Sequence, residues 1–266
     1  MSRPDQSGSP APPEGSMRIP PRGRPLSPSL VSAVALLLVL PVMAGCGDGM
    51  LEWLPPEETV SWDFTLSEEG WSPGFCDLPA DHDTSYALTA ERRGLPAELD
   101  TTRWGFFLSG SNHSDDLFMF LKRRITGLRP DTRYRLYASV RIATNAPTGC
   151  AGIGGPPGES VYLKFGAADQ EPRPVEQDGF LRLSVPQGSQ AAESEHALVL
   201  GDIANGSRQC LDTPYRFKTL RTGSRWLEAE TDGQGGLWVF VGTDSGFEGV
   251  TSIYYDMISI GWARIE

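Results

Sequence analysis

The stretch that most constrains this chain runs from Arg133 to Ile142. Tyr134, Leu136, Ala138, Val140 and Ile142 fall on one side of an extended backbone; Arg133, Arg135, Tyr137, Ser139 and Arg141 fall on the other. Alternation sustained over this length predicts a half-buried antiparallel strand, because successive side chains leave a pleated strand on opposite faces. The turn Gly127-Leu-Arg-Pro-Asp-Thr132 precedes it, and before the turn Leu117-Phe-Met-Phe-Leu121 is apolar at every position. Such a run suits a central strand covered on both sides. A polar cluster, Asn112 to Asp116, stands at the mouth of this pair.

The same reading extends along the chain. Strands are expected at Ser61–Leu66, Thr84–Ala90, Trp104–Ser109, Asp116–Arg124, Arg133–Thr144, Ser160–Ala167, Gly179–Val185, His196–Leu200, Tyr215–Arg221, Gly236–Thr243 and Ser252–Ile265. Aromatic and β-branched residues fill them, and Gly, Pro, Asn and Asp separate them. No stretch carries a strong helical period; Glu91–Leu99 and Gln187–Glu195 are expected to hold at most a helical turn. Roughly ten strands in roughly 205 residues predict an all-β fold, an antiparallel β-sandwich of jelly-roll type formed by residues 61–266 as one domain.

The first 45 residues differ. Ser2 to Pro28 is rich in Pro, Ser, Gly and Arg and is expected to be disordered. Leu30 to Val42 is an apolar run of signal-peptide length, with Arg18, Arg22 and Arg24 as its positive flank and Met17 as a second possible start. The run ends Val42-Met43-Ala44-Gly45-Cys46, which resembles the lipobox of bacterial lipoproteins, with Met43 where Leu is usual. That resemblance implies cleavage before Cys46, acylation of Cys46, and residues 46–60 as a tether holding an extracytoplasmic domain at a membrane of the cell envelope. Several acyl chains anchor firmly where one alone is marginal.

Removing the four arginines and two acids of residues 1–45 takes the net charge from −11 to −13. Such a balance argues against nucleic acid, whose phosphates demand a basic face. It suits calcium, neutral sugars or a basic envelope protein. With Cys46 acylated, Cys76, Cys150 and Cys210 remain. Cys150 and Cys210 lie in turn-rich loops just past strands, while Cys76 follows Gly74-Phe75 in an aromatic setting. The pair Cys150–Cys210 is therefore the expected disulfide, closing a loop of about 60 residues.

The opening Trp62-Asp-Phe64 with Gly70-Trp71, and the closing Ile253-Tyr-Tyr-Asp256-Met-Ile258-Ser-Ile260, resemble the end strands of galactose-binding-like and carbohydrate-binding jelly-roll modules. The resemblance implies that the first and last strands pair and that the domain binds a carbohydrate.

Candidate chemistry is sparse. Gly152-Ile-Gly-Gly-Pro-Pro-Gly158 lacks the following helix that a phosphate loop needs. Thr243-Asp244-Ser245-Gly246 lacks a suitably placed histidine base among His82, His113 and His196. Glu159, Glu171, Asp244 and Glu248 are available for glycoside hydrolysis, which keeps a hydrolase as the runner-up, but no recognised pattern pairs them. A purely structural or assembly lipoprotein is the other alternative. The best candidate site is the polar cluster itself: Asn112, His113, Asp115 and Asp116, joined at the sandwich rim by Asp244, Phe247 and Glu248. Their oxygens suit calcium, and imidazole, amide and phenyl groups suit a sugar's hydroxyls and apolar face. Asp256, placed by simple alternation in the row of Tyr254, Ile258, Ile260 and Trp262, needs an arginine or a hard cation and is the candidate metal ligand.

Overall fold

The computed structural model describes residues 55–265, and the expected signal segment, Cys46 and most of the tether lie outside the described residues. Fifteen strands form two facing antiparallel sheets and one small extra sheet. The first sheet is built on β7 (Arg133–Thr144) and β15 (Val250–Arg264). β12 (Arg216–Arg221) and β13 (Leu227–Glu230) share the outer edge of β7. Beyond β15 lie β5 (Trp104–Ser111) and β4 (Thr89–Gly94) at one end and β1 (Glu58–Asp63) at the other. The second sheet has the order β11 (Ala197–Asp202), β8 (Val161–Ala168), β14 (Leu237–Ser245), β6 (Leu117–Ile125), β2 (Ser72–Cys76). From β5 to β8 the chain changes sheet at every step, as it does again from β13 through β14 to β15. This alternation is the jelly-roll plan, and β1 pairs with β15 as the end-strand motifs imply.

The strand expectations hold where the apolar period was strong. β7 has the expected bounds, with Leu136, Val140 and Ile142 fully buried. The weaker assignments shift. Thr84–Tyr86 is a 3-10 turn capped by the Asp83 side chain, and the strand starts at Thr89 and includes much of the segment expected to turn helically. β2, β9 (Pro174–Gln177) and β13 were not foreseen, being short and half polar.

β6 is covered on both faces. Leu117, Met119 and Leu121 enter the core between the sheets, whereas Phe118 and Phe120 pack outside with Phe240, Cys76, Leu183 and Val185. Leu183 belongs to β10 (Phe180–Leu183), which pairs with β9 and with the two-residue β3 (Leu78–Pro79). Two of these rings lie flat against the sheet only because glycine sits beneath them. A Cβ at Gly74 would fall 2.2 Å from Phe120, and one at Gly166 would fall 2.0 Å from Phe240.

One bulge corrects the reading of the last strand. Ile253 and Tyr255 point into the core, and so do Ile258, Ile260 and Trp262. Odd positions give way to even ones because the ladder with β7 skips from Tyr255↔Ile142 to Met257↔Arg141, leaving Asp256 as the extra residue. Asp256 therefore does not share the apolar row of Ile258, Ile260 and Trp262. Its carboxylate is fully buried and paired with Arg103 at 2.9 Å and with Arg141. Two guanidinium groups supply the partner that the sequence demanded, and their positive charge opposes a cation there.

Cys150 and Cys210 are bridged, with Cα atoms 5.7 Å apart, and Cys76 is a buried free thiol. Burial raises the Cys76 pKa far above its ordinary range, so the thiol is kept protonated and inert. The bridge spans 60 residues of sequence. Replacing both its cysteines with serine is expected to cost up to about 4 kcal/mol, the chain-entropy value for such a loop. Urea unfolding of the paired variant beside the wild type measures it, and an unchanged midpoint refutes it.

Candidate functional site

The two loops nominated from sequence meet at one end of the sandwich. The buried Asn112 side chain donates to the carbonyls of Ser245 at 2.7 Å and Phe247 at 3.1 Å, and its backbone N–H donates to Gly249 at 3.0 Å. Its own Oδ1 accepts from Ser114 N–H, and Ser114 Oγ reaches the Asp77 carbonyl. Asn112 is thus a pin between loops, with its polar atoms consumed by backbone.

Beside it lies a buried charge cluster. Lys164, wholly buried in β8, sits 2.8 Å from the equally buried Asp244. The Lys164 ammonium also donates to the carbonyls of Gln187 at 3.0 Å and Ala192 at 3.1 Å. Gln190 N–H donates to Asp244 Oδ2, and the Gln190 side chain reaches the Asp115 carbonyl. Residues 187–192 therefore form a strap drawn over the strand ends. Asp77 holds the strap's near end through Gln187 at 2.7 Å and Arg182 at 2.8 Å. Asp244 Oδ1 receives no donor from these groups, and Asp116 lies beside it. Burial, with the adjacent Asp244 charge, pushes the Asp116 pKa up to about 7, so the Asp116 proton completes the shell of Asp244.

These contacts decide what the nominated residues can do. Asn112 is consumed by loop backbone, Asp116 and Asp244 lie against one another, and Phe247 packs partly into the core. His113, Asp115 and Glu248 remain exposed. The His113 ring meets the edge of Tyr86, with His82 on that ring's other flank. Asp115 takes a left-handed turn conformation, φ 64°. Among the described residues no group of three or more His, Cys, Asp or Glu is arranged to hold a metal ion. Of the carboxylates nominated for calcium, Asp244 is met by Lys164 and Asp256 by two arginines, Asp116 lies beside Asp244, and Asp115 and Glu248 are exposed. Of the carboxylates available for hydrolysis, Glu171 holds Lys122 at 2.7 Å and Glu159 accepts from Gly149 N–H. Sequence reasoning missed Lys164 and the strap, although a lysine inside Val161-Tyr-Leu-Lys-Phe165 is the visible trace of a buried charge.

A second feature lies on the outer face of the first sheet. A trough of about 230 Å³ crosses β7 and β15, walled by Pro56 and Thr59 on one side and by Arg221, Thr222 and Gly223 on the other. Tyr137, Ser139, Ser259 and Gly261 form its floor. Gly261 pairs with both Tyr137 and Thr59, and a Cβ there would fall 2.8 Å from Pro56. The missing side chain leaves the floor open. Next to Tyr137, Trp226 stacks on Arg135, with the guanidinium 4.6 Å from the ring centre.

No protein-family model matches this chain, and no curated protein matches it. Solved structures show partial similarity to it, with TM-scores below 0.5. A mannan-recognising carbohydrate-binding module, TmCBM27, is 13% identical with a TM-score of 0.39, covering 78% of this chain and 99% of that one. The CBM22-1 xylan-binding domain of Paenibacillus barcinonensis Xyn10C is 10% identical with a TM-score of 0.36, covering 78% and 95%. The enzymatically active domain of bacteriophage CBA120 tailspike protein 4 is 12% identical with a TM-score of 0.32, and this chain spans 19% of its length. We take no functional residue from them.

The acid pair makes stability depend on pH with a definite sign. Between the ordinary value of 3.8 and the folded value of about 7, the folded chain keeps a proton on Asp116 that the unfolded chain has lost. Stability therefore falls as pH rises through that window and levels off above it. The urea midpoint is expected to be higher at about pH 5 than at about pH 8, and Asp116→Asn, whose amide still donates to Asp244, flattens the difference. An undiminished slope in that variant assigns the effect elsewhere.

Proposed function

We propose that this chain is a cell-envelope lipoprotein, anchored through Cys46, whose β-sandwich binds a carbohydrate in the trough across β7 and β15. The observation that carries the proposal is the composition of that trough. Tyr137, itself largely buried, contributes ring surface to the floor, Thr59, Ser139, Thr222 and Ser259 offer hydroxyls, and Arg221 offers a cation, all in one depression. A sugar ring presents an apolar face and a fringe of hydroxyl groups, and this mixture of a ring with convergent polar groups matches both. Thr59 and Arg221 belong to β1 and β12, elements held by ladders, and Pro56, Thr222 and Gly223 lie just beyond their ends. A site on paired strands holds its geometry before the ligand arrives, which lowers the ordering cost of binding.

The anchor supplies the address. The apolar run ending in Ala44-Gly45-Cys46 is the support for it, and the chain enters the described domain at Pro55, only a short tether later. In this reading the sandwich is held near a membrane and presents its trough to envelope glycans. The rim cluster is then structural, fixing loops and strap.

Screening the full-length protein in detergent against an array of envelope and plant polysaccharides tests the reading. Binding to at least one glycan is expected, with Tyr137→Ala weakening it about tenfold or more. Binding that ignores Tyr137→Ala but is lost in His113→Ala or Glu248→Ala moves the site to the rim, and a blank array removes the glycan reading. Separately, Cys46→Ser is expected to abolish incorporation of labelled fatty acid; undiminished labelling refutes the anchor.

A further inference from the structure

The outward row of β7 reads Arg133, Arg135, Tyr137, Ser139, Arg141, so the trough's two floor residues on this strand are flanked along the strand by arginines. Across the ladder, Arg221 is paired in register with Ser139 and forms part of the trough wall. No acidic residue lines the trough. This arrangement stands out on a chain whose net charge is −11.

Several acids elsewhere on this face are already answered. Asp256 is held by Arg103 and Arg141, two positive groups for one negative. Glu228 takes Arg133 at 3.2 Å and accepts from the Trp226 indole N–H. Asp63, at the far end of β1, accepts from Thr65 N–H. Arg221, by contrast, is exposed and has no carboxylate partner among the described residues. An exposed arginine is ordinary. An unpaired arginine in the wall of a trough with an aromatic and hydroxyl floor, without a nearby acid to neutralise it, is a recognition group.

We propose that the ligand of this trough is an acidic sugar, and that the Arg221 guanidinium receives its anionic group. This inference rests on the carbohydrate reading above and deepens it. A guanidinium presents a planar fork of N–H donors that matches a carboxylate in two parallel hydrogen bonds. The sugar ring then lies over Tyr137, and its hydroxyls meet Ser139, Ser259 and Thr59. The negative charge of the rest of the molecule repels a polyanion in general, so an acidic polysaccharide is admitted at this face and disfavoured elsewhere, which orients the chain on its ligand.

The test compares an oligogalacturonate with its carboxyl-reduced, neutral counterpart of the same length, titrated calorimetrically into the full-length protein in detergent. The acidic oligomer is expected to bind at least about tenfold more tightly, with affinity falling as salt rises. Arg221→Gln is expected to remove that preference while leaving the thermal midpoint unchanged, and Arg221→Lys to retain part of it as a point charge without the fork. Equal affinity for the two oligomers, or a preference for the acidic one that survives Arg221→Gln, overturns the inference and leaves the carbohydrate reading standing. A sulfated oligosaccharide that outcompetes the uronate in an Arg221-dependent manner keeps the anion contact and changes its source. Failure of every acidic and neutral glycan to bind defeats the carbohydrate reading itself, and this inference with it.

Discussion

The pairing of β7 with β15 is the interaction on which the rest of this structure depends. It runs from Ile253↔Thr144 to Arg264↔Tyr134, nearly the full length of both strands, and every other strand of the first sheet attaches to one or the other except β4, which pairs with β5. Within it the single bulge at Asp256 is decisive. A strand of this length with unbroken alternation would turn either Ile253 and Tyr255 or Ile258, Ile260 and Trp262 away from the core. The extra residue lets both sets face inward. The inserted carboxylate is the consequence, and Arg103 and Arg141 hold it there. Removing one partner of a buried ion pair is far more damaging than never having built it.

The second buried charge works differently. Lys164 and Asp244 are neighbours on paired strands of the second sheet, two residues off register, and both are buried. What they organise is the strap over residues 187–192, whose backbone groups bind both the ammonium and the carboxylate. A strap held by carbonyl and N–H groups needs little of its own sequence, which explains why Gln187–Glu195 carries small and polar residues and no apolar period. Together with β9 and β10, this segment covers the outer phenylalanines of β6 and β14. The outer face of the second sheet is consequently closed, while that of the first keeps an open trough.

The rim and the trough show how similar residue types end in different roles. At the rim, amide, carboxyl and ammonium groups converge and satisfy one another, so little polar capacity is left for a ligand. In the trough, hydroxyl groups, one ring and one arginine line a hollow kept open by Gly261. Clustering of polar residues in sequence is a good guide to where loops meet and a poor guide to where a ligand sits, because turn residues and binding residues draw on the same amino acids.

By itself the sequence determined the all-β class, the central place of β6 and β7, the cysteine pair and the meeting of the 110–116 and 242–249 loops. Each of these follows from local pattern: alternation, a doubly apolar run, turn chemistry, and loop placement of thiols. Tertiary structure alone decided the rest. The bulge at Asp256 cannot be seen in the alternation of β15 alone, because it is defined by the register against β7. The Lys164–Asp244 pair lies 80 positions apart, and the trough gathers residues from near 59, 137, 221 and 261. Those neighbours are set by which strands pair and in what register, and that choice is made by burying the whole set of apolar faces at once rather than by any one segment.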